Sequence, residues 1–236
     1  MLTAIIVAGG SSQRMGFDKL LALLDGRPVV AHSIAAFEQT KSVTEIILVG
    51  RAERLLDLEA MVRAQGFRKV SAVIAGGARR QDSVRAGLEQ LEAATQFVAV
   101  HDAARPLVRP DLIERIFQAA RTHGGAACAA PVIDTLKHAD DAGLVTGGVE
   151  RENLFAVQTP QIFRRDLLVK AYDAVLAAGV EVTDEISAIE RIGGKVVLVP
   201  NENPNFKITY PADLPFAEII LRQPPLRPYT APQALQ

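Results

Sequence analysis

The sequence predicts an α/β fold built on a mostly parallel sheet with helices on both faces. Three observations point there. Short apolar runs rich in β-branched or small residues recur at 4–8, 46–50, 70–74, 97–100 and 126–131. Stretches with apolar residues at helical spacing separate most of them, and such alternation marks a sheet whose crossovers are helices. Glycine pairs stand at the ends of the first and third runs, at Gly9-Gly10 and Gly76-Gly77. In open α/β sheets that edge is where ligands bind.

The first strand, residues 4–8, opens onto Gly9-Gly10-Ser11-Ser12. Glycine lets a backbone turn tightly and approach a ligand closely. Successive N–H groups in such a loop form an anion-binding hollow. Arg14 and Lys19 follow at once and add full positive charge, so a triphosphate suits the loop. The spacing is not that of a Walker loop, nor that of the dinucleotide fingerprint. Asp25-Gly26 marks a turn, and Pro28 starts a helix carrying Val29, Val30, Ile34 and Phe37. A strand at 46–50, a helix at 52–65 and a strand at 70–74 follow. The last of these ends in Gly76-Gly77, ahead of Arg79, Arg80 and Ser83.

The fourth strand, 97–100, delivers His101-Asp102-Ala103-Ala104-Arg105-Pro106. Charge directly after an apolar strand is costly unless paired, so Asp102 and Arg105 are expected to pair or to meet a ligand. His101 reads as a packed histidine. A helix over 110–121 and a strand over 126–131 come next. Cys128, the single cysteine, falls in that strand and reads as a small buried residue rather than a nucleophile. From 132 to 153 the alternation stops. Residues 133–138, an acidic turn and residues 149–151 suggest the two strands of a hairpin. A two-stranded ribbon is marginal alone, so it reads as a protruding dimerisation arm that exchanges with an identical ribbon. A strand at 154–158, a helix at 165–177, Thr183 as an N-cap, a strand at 195–199, an exposed strand-edge Lys207 and a helix at 211–221 complete the domain, residues 1–222. Residues 223–236 are proline-rich without periodicity and read as a disordered tail.

Composition narrows the partners. The net charge is −1, which points to neither nucleic acid nor a membrane surface as a partner. No apolar run has the length of a membrane span, and the N-terminus lacks the pattern of a signal peptide. A cytoplasmic protein is expected.

Several stretches carry a family resemblance. Ala8-Gly9-Gly10-x-Ser12-x-Arg14-Met15-Gly16-x-Asp18-Lys19 resembles the signature loop of nucleotidyltransferases that join a nucleoside monophosphate to a phosphorylated acceptor. Gly76-Gly77-x-x-Arg80-x-x-Ser83-Val84, the stretch from His101 to Pro106, Thr159-Pro160-Gln161 and Asn205-x-Lys207-Ile208-Thr209 narrow it. Together they resemble the 2-C-methyl-D-erythritol 4-phosphate cytidylyltransferases of isoprenoid precursor synthesis, over about residues 3–222.

The resemblance implies a Rossmann-like three-layer fold and transfer of CMP from CTP to a sugar-alcohol phosphate. It implies catalytic roles for Arg14, Lys19 and Lys207, and nucleotide contacts from Ala8, Gly9, Gly10, Gly76, Ser83 and Ala103. Asp102, Arg105, Thr135, Arg151 and Thr183 would serve the acceptor, with Thr135 and Arg151 reaching the partner's site in a homodimer. Mg2+ would be held mainly by the nucleotide phosphates, with no metal ligand from the protein.

Two departures stand out. Ala78 replaces an acidic residue found in some members, and the Arg14–Lys19 link is two residues shorter than in many. The shorter link also occurs in molybdenum-cofactor nucleotidyltransferases. Those enzymes, ribitol 5-phosphate cytidylyltransferases and a non-catalytic nucleotide-binding regulator are the alternatives.

Overall fold

The structure is a computed structural model that describes residues 1–10 and 15–223. Residues 224–236 of the expected tail therefore lie outside the described residues, as does Arg14. In chain order the elements are β1 (Leu2–Ala8), β2 (Leu23–Leu24), β3 (Arg27–Pro28), α1 (Val29–Gln39), β4 (Val43–Gly50), α2 (Leu55–Gln65), β5 (Val70–Ala75), α3 (Arg80–Leu88) and β6 (Phe97–Asp102). There follow α4 (Pro110–His123), β7 (Gly125–Pro131), β8 (Lys137–Ala139), β9 (Val145–Gly148), β10 (Phe155–Arg164), α5 (Arg165–Ala178), α6 (Glu185–Arg191), β11 (Val197–Pro200) and α7 (Asp213–Leu221).

Seven strands form the central sheet in the order β11-β7-β10-β6-β1-β4-β5. All neighbours pair in parallel except β10, which runs antiparallel to both β6 and β7. The sheet is buried on both faces, which is why its strands read as near-continuous apolar runs. In β1 the side chains alternate. Leu2, Ala4, Ile6 and Ala8 enter one core with residues of α1, α2, α4 and α7. Ile5 enters the other core with residues of α3, α5 and α6. The three layers expected from the sequence are therefore present. Each fully buried Ile, Leu or Phe in these cores contributes on the order of 1.5–3 kcal/mol.

Four local readings change. The strand expected at 97–100 runs on through His101 and Asp102, so both are sheet residues. The cap of α6 is Asp184, whose carboxylate accepts from the Ser187 N–H at 2.9 Å, while Thr183 is exposed one position earlier. Either residue type caps well, so sequence alone did not separate them. The segment around Lys207 is not a strand; it is tied to the β6 loop by Ile208 N–H to Ala104 O at 2.8 Å and Arg105 Nη1 to Asn205 O at 2.9 Å. The hairpin within 132–153 is short. Its paired strands are only β8 and β9, closed by Asp140 N–H to Leu144 O at 3.0 Å, and they pair with no strand of the main sheet. Among the described residues no helix is long and apolar enough to cross a membrane.

Candidate active site

Four neighbouring parallel strands end at one edge: β1 at Ala8, β4 at Gly50, β5 at Ala75 and β6 at Asp102. The loops leaving β1 and β5 face each other across the start of α3. Ser83 fixes how close they come. A side chain on Gly76 would sit 2.3 Å from the Ser83 hydroxyl, and one on Gly9 would sit 3.3 Å from it. At Gly76 a side chain would force Ser83 to move, whereas at Gly9 the serine hydroxyl would have to give by only a few tenths of an ångström. Ser83 is 2% exposed.

A cavity of about 230 Å³ opens at this junction. Its wall includes Gly9, Gly10, Lys19, Gly77, Arg80, Ser83, Asp102 and Lys207. Among the described residues Lys19, Arg80 and Lys207 face it against one carboxylate, Asp102, while Arg79 borders it paired with Asp82. A nearly neutral chain thus concentrates positive charge at one site, as polyanion binding requires. A larger hollow of about 340 Å³ lies between α3 and α5 beyond Gly76-Gly77. Its arginines, Arg79 and Arg85, are paired with Asp82 and with Glu89 and Asp173, so it lacks that character.

The two lysines arrive from opposite ends of the chain. Lys19 is 8% exposed and donates from Nζ to the Ile208 carbonyl at 2.7 Å. Lys207 donates to Asp102 Oδ2 at 3.0 Å. The short link after Arg14 still brings Lys19 to the cavity wall. Asp102 also accepts from Arg80 Nε at 3.0 Å, and Arg105 Nε lies 3.7 Å away. Burial alone would raise the Asp102 pKa; Arg80, Lys207 and Arg105 outweigh it and hold the carboxyl well below its usual range. It is an anion at any working pH.

His101 is fully buried and lies beneath the site. The Asp102 N–H donates to the Thr159 hydroxyl at 3.0 Å, and that hydroxyl lies 3.0 Å from His101 Nδ1. The Arg105 carbonyl, 3.3 Å from Nε2, can only accept, so the neutral imidazole carries its proton on Nε2 and the Thr159 hydroxyl donates to Nδ1. The ring is a neutral spacer across the loop. Burial pushes its pKa down to about 3 from the ordinary 6.5. Between those values the unfolded chain binds the extra proton, so stability from this group falls as pH drops below about 6.5. We expect His101→Gln to flatten the pH dependence of stability by up to ~1.4 kcal/mol per pH unit in this window. Urea midpoints of both proteins at about pH 6.5 and 4.5, above the range where Asp102 contributes, would measure it. Equal slopes would mean that His101 is not held neutral.

The structure brings together Gly9, Gly10, Lys19, Ser83, Asp102 and Lys207 on one wall. Ala8 and Gly76 flank that wall. Ala103 is fully buried, and its neighbour Ala104 lines the cavity instead. Arg105 sits at the base beside Asp102. Thr135 and Arg151 are exposed on the arm, where Arg151 donates to the Ile133 carbonyl; with Thr183, they are not on this cavity wall. Cys128 is buried in β7, and burial raises its thiol pKa to about 11, which leaves it unreactive. The sequence reading placed Arg80 in the second glycine-loop motif but gave it no role at the site. A signal existed: Arg80 lies four residues before Val84 and eight before Leu88, on the buried face of α3.

Cations and a glycine-walled cavity at a parallel-sheet edge suit a phosphate-bearing ligand. A model of the 2-C-methyl-D-erythritol 4-phosphate cytidylyltransferase family (IspD) matches residues 2–223. The chain belongs to that family. A 2-C-methyl-D-erythritol 4-phosphate cytidylyltransferase from Dehalococcoides mccartyi is 42% identical over 221 residues, covering 93% of this chain and 96% of the relative. The crystal structure of 4-diphosphocytidyl-2C-methyl-D-erythritol synthase from Anaerococcus prevotii superposes with a TM-score of 0.81 at 28% identity, covering 94% and 98% of the two chains. That of the Thermus thermophilus cytidylyltransferase gives 0.76 at 31% identity, covering 94% and 100%. These likenesses favour the cytidylyltransferase reading over the ribitol phosphate, molybdenum-cofactor and non-catalytic alternatives.

Proposed function

We propose that the protein transfers CMP from CTP to 2-C-methyl-D-erythritol 4-phosphate. An oxygen of the acceptor phosphate attacks the α-phosphorus of CTP, a new P–O bond forms, the bond to the β-phosphate bridging oxygen breaks, and pyrophosphate leaves. The observation that carries this reading is the meeting of Lys19 and Lys207 with both glycine loops around one cavity in a chain of this family.

A phosphate monoester is already largely dianionic near neutral pH, so the attack needs no strong base. The difficulty is charge, because two polyanions must approach and the transition state gathers more. Arg14, Lys19 and Lys207 offset that charge. Asp102 and Arg105 serve the acceptor, as does Thr183, while Ala8, Gly9, Gly10, Gly76 and Ser83 serve the nucleotide, Ala103 shaping the loop behind it. A magnesium ion would be held mainly by the CTP phosphates and would supply further neutralisation of their charge, while the Asp102 carboxylate is engaged by Arg80 and Lys207.

The reading includes a homodimer with shared sites. Ile133 is 81% exposed and Leu144 and Val145 are each 67% exposed on a ribbon too small to stabilise itself. A second copy would cover these side chains and receive Thr135 and Arg151. A cytoplasmic location fits soluble phosphorylated substrates.

Nucleotide choice tests the nucleotide half. Ser83 lies between the two glycine loops, so Ser83→Ala is expected to weaken CTP binding by about tenfold and to affect acceptor KM much less. Titration calorimetry with CTP and GTP would measure both proteins. Equal use of GTP and CTP by the wild type would overturn the cytidylyltransferase reading.

A further inference from the structure

Arg80 is the link between two distant carboxylates. Its Nε donates to Asp102 Oδ1 at 3.0 Å. Its Nη1 and Nη2 donate to Glu185 Oε1 and Oε2 at 2.7 and 3.1 Å, a bidentate pair. The Tyr172 hydroxyl donates to Glu185 Oε1 at 3.0 Å. Glu185 is fully buried and is not on the cavity wall, whereas Arg80 and Asp102 are. Its backbone is fixed as well, because the Glu185 and Ile186 N–H groups donate to Gln161 Oε1 at 3.2 and 3.1 Å.

A buried carboxylate is costly to keep, and it persists only when paired and hydrogen-bonded. Here the pair sits where it can act. Asp102 is pulled from one side by Arg80 and from the other by Lys207. The Lys207 side chain is 43% exposed, against 23% for Arg80. An incoming phosphate competes with Asp102 for the exposed lysine. When Lys207 turns to substrate, Arg80 is left as the hydrogen-bonded cation on Asp102, with Arg105 Nε 3.7 Å away, and Arg80 holds the carboxylate in place only if its own plane is fixed. Glu185, braced by Tyr172, fixes it.

We propose that Glu185 is a positioning residue for the acceptor side of the site: through the fork of Arg80 it holds the Asp102 carboxylate in place while Lys207 engages phosphate. The inference rests on the reading of Asp102 as an acceptor group. It also joins α3, which carries Ser83, to the head of α6, which follows Thr183.

Two variants separate position from charge. Glu185→Gln keeps the shape but removes the charge that grips Arg80. Arg80→Lys keeps a positive charge but, lacking the fork, cannot bridge both carboxylates. Each is expected to raise the acceptor KM by about tenfold, and the double variant by about the same factor, because both act through one bridge. The CTP dissociation constant should stay within about twofold of wild type in both single variants. The Arg80 Nε–H signal in 15N-edited NMR should exchange slowly in the wild type and rapidly in Glu185→Gln. An unchanged acceptor KM, a parallel rise in CTP dissociation constant, or additive effects in the double variant would overturn the proposal. The NMR reading needs no turnover: a slow Arg80 Nε–H in Glu185→Gln refutes the brace even if the wild type works, whereas a wild type inactive on 2-C-methyl-D-erythritol 4-phosphate refutes the reading of the acceptor.

Discussion

Lys207→Ala should lower kcat by about a hundred- to a thousandfold with CTP saturating, and leave the fold intact. The loss follows from removing one preorganised cation from the developing charge, an effect of ~3–4 kcal/mol on the barrier. The fold survives because the Lys207 side chain is 43% exposed and its pairing with Asp102 is one of three cationic contacts that the carboxylate keeps. Arg80 and Arg105 still neutralise the buried carboxylate when the lysine is gone. Lys19 is a poorer test, since it is 8% exposed and holds the Ile208 carbonyl, so its removal mixes stability with chemistry. Pyrophosphate release with a parallel melting curve would separate the two. Near-normal turnover in Lys207→Ala would remove the lysine from the reaction. The same loss is expected for Arg14→Ala.

Mixing two dead variants should restore activity. Arg151 stands on the exposed arm and, in its own chain, donates to the Ile133 carbonyl rather than to the cavity. If the arm crosses to a second copy, Arg151 can grip the acceptor phosphate there with two parallel hydrogen bonds. Arg14 stays with its own nucleotide loop. Arg151→Ala and Arg14→Ala homodimers would each lack one half of every site. Under subunit exchange, half the dimers are mixed, and each has one intact site and one doubly damaged one. Activity should therefore climb toward about a quarter of wild type, from random pairing of two-fold dimers. Absence of recovery, with exchange demonstrated by mass spectrometry of the mixed dimers, would mean that Arg151 serves its own chain.

The readability of this fold and site in the sequence varied with the range of the cause. The layers were legible because apolar periodicity is local: residues 4–8 read as a buried strand and lie inside the sheet between β6 and β4. The reversed direction of β10 was not, because an apolar run carries no arrow; direction is set by the arm that precedes the strand and by its pairing with β6 and β7. The glycine loops and Lys19 were legible as residue types at a strand end. The Asp102 cluster was legible only in part. Asp102 and Arg105 are neighbours, but Arg80, Lys207 and Glu185 come to it from separations of 22, 105 and, through Arg80, another 105 residues. Glu185 falls one turn before the buried Ala188 and Ile189, so its face of α6 was a usable sign of burial.

The measurement that bears most directly on the whole reading is pyrophosphate release by the purified wild-type protein with CTP, Mg2+ and 2-C-methyl-D-erythritol 4-phosphate, run beside ribitol 5-phosphate and beside no acceptor. Release that requires CTP and 2-C-methyl-D-erythritol 4-phosphate together, with 4-diphosphocytidyl-2-C-methyl-D-erythritol as the product, is the expected result. Release with ribitol 5-phosphate in its place, equal rates with GTP, or no release with any acceptor would contradict it.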